Sequence, residues 1–305
     1  MKNMLICLLT LAVTYAWSAE PDQYIIQREN GRIIMAYKSF DDFLNSDKSW
    51  DSYCRLLYDV YPEIRVAHEK QVRWGGIDSV KFKDDVTTFK RADYESRLDQ
   101  YDEKALNDLY DAVIGRAQDV LPTVTDTPVD LVLFLPYGGC FIEPGKERST
   151  IYISLWISPD DVYKIMAHEY GHFLHFQRKP EEPLTLMREV VSEGMAVYLT
   201  TKILPELDLE HSIPFMPPES VQWCRDHEQV IADSIRLELN NSDDSIFRRY
   251  IGDGGYAQPP MGFVQKTAYF TGYRVIEACI NSGMTVEEIC ALDSKAVLDK
   301  SGYFE

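Results

Sequence analysis

Residues 168–172 read His-Glu-Tyr-Gly-His inside a helical pattern, and no other run constrains this chain as much. On an α-helix, His168 and His172 lie one turn apart on the same face. Two imidazoles placed this way can point at one metal ion, and Glu169 can reach a water bound to it. Zinc hydrolases use this H-E-x-x-H arrangement, with a third protein ligand from elsewhere and water in the open position. The flanks predict a buried helix, because Val162, Ile165, Met166, Tyr170, Phe173, Leu174 and Phe176 surround the motif at steps of three and four. Ser158 suits the N-cap and Pro159 the first helical position, while Asp160 and Asp161 favour the positive end of the dipole. Arg178 and Lys179 suit the other end, and Pro180 stops the helix. The expected span is about 158–179.

A third ligand must come from elsewhere. His175 and Arg178 stand where one zinc-protease class carries a glycine and a third histidine, so that class is excluded. No aspartate after a Gly-Thr pair follows the motif, which removes a second class. Residues 187–200 form a helical segment with two acids, Glu189 and Glu193, one turn apart. Its apolar neighbours Val190, Val191, Met195 and Val197 indicate burial, and a buried carboxylate needs a cation or several donors. Glu193 is the expected ligand, and Glu189 the competitor or the group that holds a ligand histidine by its other ring nitrogen. Ser192, Gly194 and Ala196 let this helix approach the motif helix closely. Glycine inside a helix costs roughly 1 kcal/mol relative to alanine, so Gly194 needs a packing reason.

The motif, followed by Val191-Ser192-Glu193-Gly194-Met195-Ala196-Val197-Tyr198, resembles the gluzincin metallopeptidases. More narrowly, it resembles a bacterial family described as predicted zinc-dependent proteases, which carries an E-G-x-A helix and a late Gly-Tyr element. Here the late element is Ala268 to Arg274, with Gly272 and Tyr273. The likeness covers roughly residues 125 to 305. It implies a zinc peptidase fold, with His168, His172 and Glu193 as zinc ligands and Glu169 as general base. A tyrosine is the usual oxyanion donor in such families, and Tyr273 is the first candidate here, followed by Tyr269 and Tyr256. His175 reads as a partly exposed helix-end residue, and His211 and His227 have no partners at ligand spacing.

Composition limits the setting. At 305 residues, with 45% hydrophobic and 26% charged side chains, the chain can bury a sizeable core. A net charge of −18 disfavours nucleic acid and anionic membranes. Lys2 followed by the apolar run Met4 to Val13 predicts a signal peptide over 1–18, too short to span a bilayer, with the mature chain starting near Ala19 or Glu20. The alternative is an uncleaved anchor. Cys7 lies inside the apolar run after Ile6, so it does not read as a lipoprotein site. The mature chain then keeps five cysteines, an odd number, and Cys279 and Cys290 read as core residues rather than a pair.

Residues 19–122 look mainly helical, with a long amphipathic pattern from Tyr94 to Leu121. Val129 to Leu135 and Ile151 to Ile157 read as strands. Later helices are expected over Ser220 to Asn240, Lys266 to Asn281 and Thr285 to Asp299, the last opening with a Thr285–Glu288 capping box. The expected architecture is therefore α+β and zincin-like. A small mixed sheet and the motif helix would pack on a mainly helical C-terminal lobe (residues 123–305), behind a helical N-terminal extension. The expected function is an exported zinc metallopeptidase, secreted or periplasmic, acting on a peptide or protein substrate by metal-activated water. It would have no nucleic-acid partner and no membrane span after signal cleavage. The alternatives are a zinc hydrolase of a non-peptide amide or ester, and a non-catalytic binding protein on the same fold.

Overall fold

The computed structural model describes residues 24–75, 78–136, 139–252 and 254–305, and the expected signal peptide lies outside them. The fold is mixed α and β, built around one five-stranded sheet in the order β1-β2-β3-β5-β4. A hairpin opens it, with β1 (Ile25–Arg28) antiparallel to β2 (Gly31–Met35). A helical excursion follows, made of α1 (Ala36–Leu44), α2 (Trp50–Tyr53), a π-helical turn at Cys54–Tyr58, α3 (Pro62–Gly75), α4 (Ser79–Thr88), α5 (Arg91–Leu98) and α6 (Glu103–Val120). The chain then returns as β3 (Val129–Phe134), parallel to β2. β4 (Cys140–Glu143) is an edge strand antiparallel to β5 (Ser149–Ser154), and β5 runs parallel to β3. The hairpin and β4 were absent from the sequence-based expectation. Both are short, and β4 follows a glycine pair that reads as a turn.

The second half is helical: α7 (Pro159–Phe176), α8 (Leu186–Ile203), α9 (Leu209–Ser212), α10 (Pro218–Asp226), α11 (Glu228–Arg236), α12 (Asp244–Tyr250), α13 (Thr267–Asn281), α14 (Val286–Cys290) and α15 (Ser294–Ser301). Three predicted long helices are each broken in two. Asp102 caps Lys104 and Ala105 and so starts α6 anew, and Asp293 does the same for α15 through Ala296. At His227 the ring stacks on Trp223, its Nδ1 lies 2.8 Å from the Trp223 carbonyl, and the backbone leaves helical geometry between α10 and α11. The Thr285–Glu288 capping box is present. All five cysteines of the described residues are free, and three of them are buried.

β3 is buried along its whole length. One apolar cluster packs the sheet between the N-terminal helices and α7, and a second lies on the far side of α8, around Val190, Val197, Ile213, Ile235 and Phe270. Helix α8 is thus sandwiched between α7 and α13. On one side, Gly171 of α7 meets Ala196, where an added Cβ would lie 3.3 Å from its backbone. On the other side, a Cβ on Gly194 would fall 2.0 Å from the Gly272 carbonyl carbon, and one on Gly272 would fall 2.0 Å from the Val190 oxygen. Gly194 is therefore required by the crossing with α13, not by approach to the motif helix. Among the described residues no helix is long and apolar enough to cross a membrane.

Candidate metal centre

Ser158 caps α7 by accepting a hydrogen bond from the Asp160 backbone N–H, with Pro159 next to it. The helix then runs buried through its centre, carrying His168, Glu169 and His172 inward. Thr185 caps α8 through Arg188, and α8 brings Glu193 against the same face. The imidazole Nε2 atoms of His168 and His172 lie 3.1 and 3.3 Å from the same carboxylate oxygen, Glu193 Oε2. These three side chains, all buried, form a candidate metal-binding group whose donor atoms lie within 4.8 Å of one another.

The donor set fits a metal ion. Two imidazole nitrogens and one carboxylate oxygen suit zinc. Tetrahedral bonds of about 2.0–2.1 Å place neighbouring ligand atoms about 3.3 Å apart, close to the separations seen here. Burial pulls the His168 pKa down to about 4 against the influence of Glu193. For His172, burial also acts downward, but Glu193, Glu169 and Glu189 outweigh it and raise the pKa. Burial would raise the Glu193 pKa, yet His172 and hydrogen bonds from both rings hold it well below the carboxylate range. An anionic carboxylate thus faces two buried rings, a combination that a cation completes.

The surroundings differ from the sequence-based expectation in several places. Ser192 Oγ, not Glu189, lies by the other nitrogen of His172, at 3.4 Å from Nδ1. Glu189 faces Arg188 at 3.6 Å. His175 is buried rather than exposed, on the back of α7 against Phe176. Tyr269 is brought to the cluster, its ring stacked on His168 with centroids 5.7 Å apart. Tyr273, one turn later, donates to Glu277 at 3.3 Å and packs on Tyr198. Tyr256 donates to Asp244 at 2.6 Å. His211 pairs with Asp208, and His227 stacks on Trp223, so neither joins the centre. Lys266, just before α13, was not anticipated. Its ammonium lies 4.1 Å from the Tyr269 ring centroid, close enough to influence His168 and Glu169.

Glu169 is buried and accepts a hydrogen bond from the backbone N–H of Ile142 on β4. Burial pushes its carboxyl up to about 7. The bond links the motif helix to the edge strand.

No curated protein matches the chain. A family model described as "Gliding motility protein GldB" matches residues 129–304, which include α7, α8, α13 and the whole His-His-Glu group. This overturns the gluzincin resemblance, and with it the reading as an enzyme, a metalloprotease and a hydrolase of peptides. The physical reason lies in the motif's brevity. Five residues on one helix fix where two rings and a carboxyl stand, but not what reaches them. The chain belongs to the gliding motility protein GldB family.

Proposed function

We propose that this protein is an envelope-associated component of the gliding apparatus that uses a buried metal ion for structure and binding, not for hydrolysis. His168, His172 and Glu193 would hold one zinc ion, which when bound would pin α7 to α8. The observation that carries this reading is the convergence of two buried ring nitrogens on one carboxylate oxygen. The order of strand β5, motif helix α7 and glutamate helix α8 supports a zincin-like layout put to a non-catalytic use. Glu169 then serves as the tie to β4. The family's gliding name and lipoprotein designation support the envelope location and the motility role.

The test combines metal analysis with motility. Protein purified without added metal should carry one zinc per chain by elemental analysis, and His168→Ala or Glu193→Ala should lose it. In a gliding host lacking the native copy, Glu193→Ala should abolish rescue, while Glu169→Gln, which keeps the ligands, should rescue. A zinc-free native protein would sink the metal reading. Zinc-dependent cleavage of a peptide library that Glu169→Gln abolishes would sink the non-catalytic one.

A further inference from the structure

The two imidazoles that converge on Glu193 are held differently. His172 has a polar neighbour at its outer nitrogen, with Ser192 Oγ 3.4 Å from Nδ1. His168 Nδ1 is buried without a hydrogen-bond partner among the described residues, although its Nε2 lies 3.1 Å from Glu193 Oε2. An imidazole that binds a metal through Nε2 carries its proton on Nδ1. Metal-ligating histidines almost always give that proton to a carboxylate, a carbonyl or water, which fixes the direction of the ring. For His168 the protein side chains and backbone supply no such acceptor.

Rings take that place. Tyr269 lies on His168 with centroids 5.7 Å and planes 20° apart, an offset stack. His172 meets the same imidazole edge-on, at 4.7 Å and 88°. The Tyr269 ring is buried and is itself held, since the Lys266 ammonium lies 4.1 Å from its centroid. The backbone sets this contact up. Tyr269 stands three residues before Gly272, on the same face of α13. Gly272 lies against Gly194, the residue after Glu193, with no room for a Cβ between them. One close crossing of α8 and α13 therefore fixes both the helix that presents Glu193 and the helix that presents the Tyr269 ring.

We propose that Tyr269 is a positioning residue for the metal centre: its ring, laid on His168, aims Nε2 at the point shared with His172 and Glu193, in place of a hydrogen bond to Nδ1. The role rests on the metal reading given above. It belongs to the ring and not to the hydroxyl, which separates it from that of a metal ligand or a proton donor.

The Kd for zinc, measured on the full chain by competition with a chromophoric chelator, tests this. Tyr269→Phe keeps the ring and should bind within about threefold of the native protein. Tyr269→Leu should bind about tenfold to a hundredfold more weakly, the loss usual for a group that orients a ligand. Tyr273→Leu truncates the next turn of the same helix, against Tyr198 rather than His168, and should stay within about threefold. Cobalt(II) in place of zinc should give a visible spectrum that Tyr269→Phe leaves unchanged and Tyr269→Leu alters, which lost packing alone would not produce. The proposal is overturned if Tyr269→Phe loses as much affinity as Tyr269→Leu, or if Tyr273→Leu does. Native zinc binding with an unaffected Tyr269→Leu overturns this role alone. A native protein that takes up neither metal overturns the metal reading, and this role with it. Should Tyr269→Leu fail to fold by circular dichroism, Tyr269→Met carries the same expectation.

Discussion

Two histidine clusters are buried in this molecule, and they are opposites. His68 on α3 is 1% exposed, and the hydroxyls of Tyr53 and Tyr58 lie 3.1 and 3.2 Å from its Nδ1. Phe82 and Phe134 pack on its ring. Burial alone drives its pKa down to about 3, with no carboxylate acting on it. His168 and His172 are as deeply buried, yet both face Glu193 and have Glu169 nearby. A ring among phenols and phenyls stays neutral and acts as a polar knot in an aromatic core. Two rings sharing one carboxylate oxygen leave room for a cation. Burial of a histidine therefore says little about its use, and the charge of the groups facing it says much more.

Zinc should separate the clusters most strongly. Adding metal to chelated protein should raise its stability by about 4 kcal/mol at a thousandfold excess over Kd. His168→Ala and His172→Ala should erase that gain in thermal melts, and His68→Phe should leave it intact. The reverse pattern would invert the comparison. The next effect concerns the packing that presents Glu193. Gly272→Val forces a side chain into the Val190 carbonyl and should cost about 3 kcal/mol in urea unfolding, with weaker zinc retention. A cost under 0.5 kcal/mol would mean that the crossing yields easily.

Acid addresses the other cluster. The folded-state pKa of His68 lies below its unfolded value, so its contribution is intact above about 6.5 and is lost as pH falls toward about 3. Between pH 7 and 5 it should account for about 2 kcal/mol of lost stability, and His68→Phe should lose that much less over the same interval. Equal losses in both proteins would show His68 to be easily protonated. The smallest effect belongs to one hydroxyl. Tyr58→Phe removes a hydrogen bond to His68 and should cost about 1 kcal/mol in urea unfolding, with zinc content unchanged.

Sequence periodicity and capping residues made α7, β3, β5 and the capped start of α14 legible, because each is specified by neighbours in the chain. The juxtaposition of His168, His172 and Glu193 was legible too, since helical spacing fixes two of them and burial around Glu193 points to the third. What escaped depends on partners distant in sequence. His68 has no spacing signature, and only the fold places Tyr53, Tyr58, Phe82 and Phe134 around it. Tyr269 and Tyr273 sit one turn apart on the same helix, and only its rotation decides which one meets His168. Lys266 was read simply as the start of a helix, because the chain fragments beside it, at 215–217 and 259–265, are loops without periodicity. The enzyme reading failed for a related reason. Five residues on one helix carry it, while the family match draws on residues 129–304 as a whole.

The matched family region begins at residue 129, at the first residue of β3. Ile33, Ile34 and Met35 of β2 pair in parallel with Leu131, Val132 and Leu133, and the fully buried Asp130 is gripped by Arg32, 2.9 Å from its Nε, and by Arg148. The sheet therefore crosses the line that sequence similarity draws. A fragment cut at 129 would present a bare, mostly apolar strand edge to solvent and leave Asp130 with half of its clamp. Such an edge recruits other chains, so the fragment should self-associate more readily than the whole chain. The β2 strand, which lies outside the matched region, thus covers the edge of that region's first strand.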